Sequence, residues 1–165
     1  MIAQTDRLII RESSGRDFSR IYCMMRSAGE EEISEPVPED ENEALEIYLS
    51  YIHTVYSVFG FGLWTVCLKE DPSCIIGRCG LEPCADENSP LGRIELGYLI
   101  DAPYRRKGYA LEACRAILEL AFGALGIEEV CARIHPDNKA SAALARRLGF
   151  AYDREDLWIL HSPRD

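Results

Sequence analysis

An apolar run, Leu96-Gly97-Tyr98-Leu99-Ile100, passes through Asp101-Ala102-Pro103 into Tyr104-Arg105-Arg106-Lys107-Gly108-Tyr109-Ala110. Beyond it Leu111, Cys114, Ile117, Leu118, Ala121, Phe122 and Leu125 recur at helical spacing. This hand-over from a strand to a long amphipathic helix constrains the chain more than any other feature. At a helix start the first N–H groups lack intrahelical partners, and the helix dipole adds partial positive charge. Gly108 removes a side chain where a ligand can approach the backbone, and Arg105, Arg106 and Lys107 add three cations. Donors, dipole and cations together suit a phosphate. The simpler alternative is a helix start with a solvated basic cluster. The stretch is not a Walker loop, since no Gly-Lys-Ser/Thr follows, and it lacks the three-glycine Rossmann spacing.

The 165 residues suit one domain, 1–165, with a substantial core, and no apolar run approaches the ~20 residues of a membrane span. The N-terminus has no basic-then-apolar signal pattern, so a cytoplasmic location is expected. Seven cysteines without a Cys-x-x-Cys pair read as reduced thiols, most of them in the core. No metal site is expected, because no His lies near Cys74, Cys79 and Cys84. A net charge of −10 argues against non-specific nucleic-acid binding. The charge is uneven: residues 1–100 carry a net −10, residues 101–150 a net +2. From Glu30 to Glu46 nine acids occur without a base, either a solvated loop and helix start or an electrostatic funnel for a cationic acceptor.

The periodicity predicts a first strand over Thr5–Glu12. A helix capped by Ser13 or Ser14 follows, carrying Phe18, Ile21, Tyr22 and Met25. A second helix starts near Pro38 or Glu39, with Ala44, Ile47, Tyr48, Tyr51, Ile52 and Val55 on its apolar face. Leu63–Lys69 and Ile75–Leu81 read as a hairpin, 82–91 as a turn-rich loop, and Arg93–Ile100 as the next strand. Leu125-Gly126 stops the long helix and Val130–Ile134 is a strand. A helix then starts at His135-Pro136-Asp137-Asn138 with Ala140, Ala143, Leu144 and Leu148 inward. Phe150–Arg154 and Leu157–His161 close the chain as strands.

Two landmarks in this order carry a resemblance. Arg105-x-x-Gly108-x-Ala110 resembles the acetyl-CoA loop of the GNAT N-acetyltransferase family. Asn138-x-x-Ser141-x-x-Leu144 followed by Gly149-Phe150 resembles that family's next helix. Thr5-Asp6-Arg7-Leu8 and Glu95-Leu96-Gly97-Tyr98 look most like the subgroup that includes the ribosomal-protein acetyltransferases RimJ and RimL. The resemblance implies an α/β (α+β) fold: a mixed, mostly antiparallel seven-stranded sheet with splayed central strands and about four helices. It implies acetyl transfer from acetyl-CoA to a primary amine in a ternary complex. The acceptor stays open between a protein N-terminus and a small amine, and the state between monomer and homodimer.

The resemblance further implies that the backbone of Leu99 and Ile100 pairs with the pantetheine arm, and that a main-chain N–H near Leu96 to Tyr98 stabilises the oxyanion. Arg105, Arg106, Lys107, Gly108, Tyr109 and Ala110 would hold the pyrophosphate, and Asn138 and Ser141 the arm's other side. Glu95 is the candidate base. It shares a strand face with Gly97 and Leu99, and burial between Ile94 and Leu96 would raise its pKa. The alternative is a structural ion pair with Arg93 or Arg78. The family's usual acid, a tyrosine after the second landmark's leucine, is Ala145 here. Ser141, Tyr104, Tyr109, Tyr152 and water are the substitutes, while His135 reads as a local structural residue. That missing tyrosine also keeps open a non-catalytic acyl-CoA-binding module.

Overall fold

The computed structural model describes residues 1–33, 36–86 and 89–163. Among these, eight strands and four α-helices alternate along the chain. They are β1 (Ala3–Gln4), β2 (Leu8–Arg11), α1 (Phe18–Ser27), α2 (Glu41–Phe59), β3 (Leu63–Leu68) and β4 (Ile75–Asp86). Then come β5 (Ser89–Ile100), α3 (Tyr109–Phe122), β6 (Glu129–Arg133), α4 (Lys139–Leu148), β7 (Ala151–Arg154) and β8 (Leu157–His161). One sheet takes the strands in the order β1-β2-β3-β4-β5-β6-β8-β7, antiparallel except where β5 meets β6. No helix among the described residues is long and apolar enough to cross a membrane.

The two sheet faces are covered differently. Leu8, Ile10, Trp64, Leu81 and Leu96 meet Ala113, Cys114, Ile117 and Ala121 of α3 in the larger core. Leu99 instead meets Phe18, Ile21 and Met24 of α1 and Ala44 and Tyr48 of α2. Period-two alternation along β5 therefore sends Leu96 to the α3 face and Leu99 to the α1–α2 face. Cys67, Cys79, Cys114 and Cys131 are buried, and Cys23 is exposed.

Four expectations need correction. The strand expected over Thr5–Glu12 runs only Leu8–Arg11, and a further strand, Ala3–Gln4, precedes it, which makes eight rather than seven: Thr5 turns the chain between the two, its hydroxyl accepting from the Leu8 N–H (2.9 Å). The 82–91 loop is largely hairpin, with Glu82, Cys84 and Asp86 opposite Glu95, Arg93 and Ser89; its tip, Glu87 and Asn88, lies outside the described residues. Paired charges hold that extension, Arg93 bridging Asp86 (2.5 Å) and Glu129, so no apolar alternation marks it. α3 stops at Gly123, whose N–H reaches Glu119 O, so Leu125 lies beyond the helix. In α4, Ala140 and Ala143 are exposed, whereas Ala145 is buried and Ala142, Leu144 and Leu148 pack on the core. Alanines carry too weak a hydrophobic signal to set that face.

α1 is docked by Asp17, which is 3% exposed. Its carboxylate accepts from Arg11 (2.7 and 2.8 Å) and from the Ser14 N–H (2.8 Å). Burial alone would raise the Asp17 pKa, but the Arg11 and Ser14 hydrogen bonds outweigh it and hold it below the usual range. Its stabilisation is thus complete above the ordinary carboxylate range and is lost as pH falls through the lowered value. Asp17→Asn is expected to cost about 3 kcal/mol at pH 7. Urea melts at pH 7 and pH 3 check this, with the variant showing the smaller difference between the two.

Candidate active site

The loop 105–108 and the start of α3 form one end of the site. Gly108 is the N-cap of α3 at φ 83°, and no side chain caps the helix. Arg106 is also left-handed, at φ 60°. Among the described residues no acceptor takes the backbone N–H groups of Arg106, Lys107, Gly108, Tyr109 or Ala110. A run of free amides at a helix start, half-exposed to exposed, fits a pyrophosphate.

Residues from the chain start hold this loop in place. Arg7 Nη1 donates to Lys107 O (2.9 Å), and the Arg7 guanidinium lies 4.5 Å from the Tyr109 ring centroid. Glu112, in the first turn of α3, accepts from Thr5 Oγ1 (2.5 Å), the Arg7 N–H (2.9 Å) and Arg7 Nε (2.7 Å). Burial opposes ionisation of Glu112, but these donors prevail and its pKa falls. Its charge also sits favourably at the helix N-terminus. The Thr5–Arg7 stretch was visible in the sequence as part of the resemblance, but its partner lies over a hundred residues away.

Arg105 is oriented away from the free amides. Its Nε donates to Ile100 O (2.8 Å), and its other nitrogens pair with Glu32 at 2.7 and 3.0 Å. Asn138 Nδ2 donates to Glu31 O (3.0 Å). The acidic turn at Gly29–Glu32 therefore runs between two residues expected to meet the cofactor. This part of the acidic run has a specific anchorage and is more than a solvated loop. Glu35 lies outside the described residues.

The middle of the site is the gap between β5 and β6. The two strands are bridged only at Glu95 and Cys131 among the described residues, and they diverge beyond that rung. Leu96 to Ile100 thus keep one strand edge without a strand partner, apart from the Ile100 carbonyl used by Arg105. Glu95 fills the apex of the gap: its Oε1 accepts the Arg133 N–H (3.2 Å). Burial raises the Glu95 pKa above its ordinary value, and contacts with Cys84 and the Arg133 N–H offset only part of that. The expected ion-pair alternatives are absent: Arg93 pairs with Asp86 and Glu129, and Arg78 has no carboxylate partner among the described residues.

α4 forms the far wall. Asn138 caps it, Oδ1 accepting from the Ser141 N–H (3.0 Å). Ser141 Oγ lies 2.7 Å from Tyr98 Oη, so the two hydroxyls link α4 to β5. Burial raises the Tyr98 pKa, which keeps that phenol protonated. Tyr98 was not singled out from the sequence; its place beside Gly97 on a strand gave no signal of the Ser141 contact. The other candidate acids lie elsewhere. Tyr104 Oη contacts Cys74 Sγ (3.1 Å), Tyr109 lies under Arg7, and Tyr152 is 60% exposed against Trp158. His135 Nδ1 accepts the Asp137 N–H (3.2 Å), a local role.

A sheet that opens beside a helix start rich in free amides is the framework of an acyl-CoA-dependent transferase. The chain belongs to the GNAT acetyltransferase family, whose domain model matches residues 7–151. It is 28% identical over 151 residues to the uncharacterized N-acetyltransferase YoaA of Bacillus subtilis, spanning 90% of this chain and 82% of that one. An acetyltransferase from Agrobacterium tumefaciens superposes with a TM-score of 0.78 at 26% identity, covering 96% of this chain and 93% of that one. RimJ of Mycobacterium smegmatis, solved in complex with CoA-disulfide, shares the fold at a TM-score of 0.71 and 15% identity, covering 92% and 79%. The family's chemistry is acetyl transfer from acetyl-CoA.

Proposed function

We propose that the protein moves the acetyl group of acetyl-CoA to a primary amine by direct attack in a ternary complex. The observation that carries this reading is a half-buried carboxylate, Glu95, at the apex of a gap whose other end holds five unpaired amides. Acetyl-CoA supplies an activated thioester. The amides of Arg106 to Ala110 bind its pyrophosphate, with Arg106 and Lys107 adding positive charge, while Arg105 is held by Glu32. The free edge of β5 at Leu99 and Ile100 takes the pantetheine arm as an added strand, and Asn138 and Ser141 face it from α4. A main-chain N–H within Leu96 to Tyr98 donates to the developing oxyanion.

Glu95 removes the proton that the amine must lose on forming the N–C bond, directly or through one water. As the C–S bond breaks, Ser141 gives its proton to the departing sulfur and recovers one through Tyr98, which solvent reprotonates, while Glu95 releases the amine proton to solvent. This pair takes the place of the tyrosine absent at Ala145. The whole of 1–165 acts as one catalytic domain.

The test is acetyl-CoA-dependent thiol release with a panel of free peptides, polyamines, aminoglycosides and amino acids, read with product masses. At least one amine is expected to give an adduct 42 Da heavier. Tight coenzyme A binding by calorimetry with no turnover across the panel would replace this reading with a non-catalytic acyl-CoA-binding module.

A further inference from the structure

On the α1–α2 face, β4 and β5 present three successive cross-strand rungs: Arg78 opposite Leu99, Gly80 opposite Gly97, and Glu82 opposite Glu95. Both ends of this row are unfavourable as they stand. Arg78 is 8% exposed and its Nε is buried without a hydrogen-bond partner. Among the described residues Nη1 reaches only Met25 Sδ (3.5 Å), and the guanidinium lies 5.6 Å from the Tyr51 ring centroid. The protein pairs its other inward arginines with carboxylates: Arg11 with Asp17 at 2.7 Å and Arg93 with Asp86 at 2.5 Å. A buried guanidinium with no anion among the described residues is a site that favours one, because taking a cation from water is costly unless it is paired.

At the other end, two carboxylates stand directly across from each other, an arrangement that destabilises a strand pair. A cation between Glu82 and Glu95 would relieve it. Tyr51 joins the two ends: it lies beneath Arg78, its hydroxyl accepts the Leu63 N–H (2.9 Å), and it is close enough to Glu82 for that charge to help raise its pKa. The middle rung has no side chains, and a Cβ at Gly97 would lie 3.7 Å from Glu82 Oε2 and 3.0 Å from Leu63 Cδ2. Gly97 belongs to the β5 edge on which the thioester is proposed to lie. An anion-seeking end and a cation-seeking end thus flank the proposed point of transfer, about two strand residues, or ~7 Å, to either side before the long side chains reach inward.

We propose that the acceptor is an amino-acid zwitterion, its carboxylate paired with Arg78 and its ammonium received by Glu82 and Glu95. This rests on the acetyl-transfer reading above. The ammonium loses one proton to water before attack and a second to Glu95 as the N–C bond forms; the neutral amide product no longer attracts Glu82 and Glu95, and it leaves. A peptide N-terminus or a polyamine offers no adjacent anion and would leave Arg78 unpaired.

The test compares free L-amino acids with their carboxamides, on wild type, Arg78→Met and Arg78→Lys. At least one amino acid is expected to exceed its amide in kcat/KM by about 100-fold. Arg78→Met should bring that ratio to within a few-fold of one, chiefly through KM for the amino acid, while Arg78→Lys restores part of it. Affinity for coenzyme A, read by calorimetry, stays as in wild type. The melting temperature of Arg78→Met should rise, since an apolar chain replaces an unpaired buried cation; a purely structural arginine would give a fall. Equal rates for acids and amides in the wild type, or an unchanged preference in Arg78→Met, overturns the proposal. If coenzyme A binds but no amine is acetylated, the transfer reading fails, and titrating the amino acids into the coenzyme A complex still decides this one: binding lost in Arg78→Met supports it, and no binding to the wild type overturns it.

Discussion

Replacing Gly108 with glutamate is expected to raise the dissociation constant for coenzyme A by at least about 100-fold, beyond the range of ordinary calorimetry. Gly108 sits at φ 83° at the start of α3, where a side chain is strained by roughly 1 kcal/mol or more. That strain is the smaller effect. The larger one is a carboxylate placed beside the five amides of Arg106 to Ala110, where it competes for the same donors and repels a pyrophosphate. The fold should survive, because a Cβ here meets only Arg7 Nη2, at 3.4 Å, and an acid beside a guanidinium is tolerated. Gly108→Ala separates strain from charge and should lose only a few-fold in affinity. Unchanged affinity in a Gly108→Glu variant with wild-type circular dichroism would move the cofactor away from this helix start.

Glu95→Gln should lower kcat about 100-fold while leaving acetyl-CoA affinity within a factor of two or so. Glutamine keeps the size of the side chain and an oxygen that can still accept the Arg133 N–H, so the apex of the gap stays filled. What it loses is basicity. In the wild type, burial raises the Glu95 pKa, so the acid limb of kcat/KM should lie above the ordinary carboxylate range. Activity falls as pH drops through that value, because a protonated carboxyl cannot accept the amine proton. In the variant that limb should vanish and leave a low, flatter profile. A wild-type profile in Glu95→Gln would remove this carboxylate from the chemistry and leave it as a brace for the splayed strands.

Both predictions draw on residues legible in the sequence, and the reason is that their signals are local. Gly108 stands between an apolar strand and a helix with six periodic apolar positions, and both periods are read within a few residues. Glu95 stands between Ile94 and Leu96 on a strand, so its burial followed from its neighbours. The same locality explains α2, whose Asp40 cap and left-handed Gly60 bracket nineteen helical residues. Side chains that act across the chain left no such trace. Arg7 and Glu112 meet across a separation of 105 positions, and that contact, together with Arg7 on the Lys107 carbonyl, ties the turn at Thr5 to α3 and holds the 105–108 loop. Ser141 was marked by its helix, but its partner Tyr98 looked like one more strand aromatic until α4 packed against β5.

Sequence alone determined the order of strands and helices, the uncapped helix start and a carboxylate on the strand that feeds it, because propensity, periodicity and glycine conformation act between near neighbours. Tertiary structure decided where β5 and β6 part, which put Glu95 at the apex of the gap. It also decided which charges have partners. Glu32 is one of nine acids in a run and holds Arg105, whereas Arg78, one strand arginine among several, is buried without an anion among the described residues. Electrostatic pairing depends on distances between side chains far apart in the chain, and only the packed sheet and its helices set those distances.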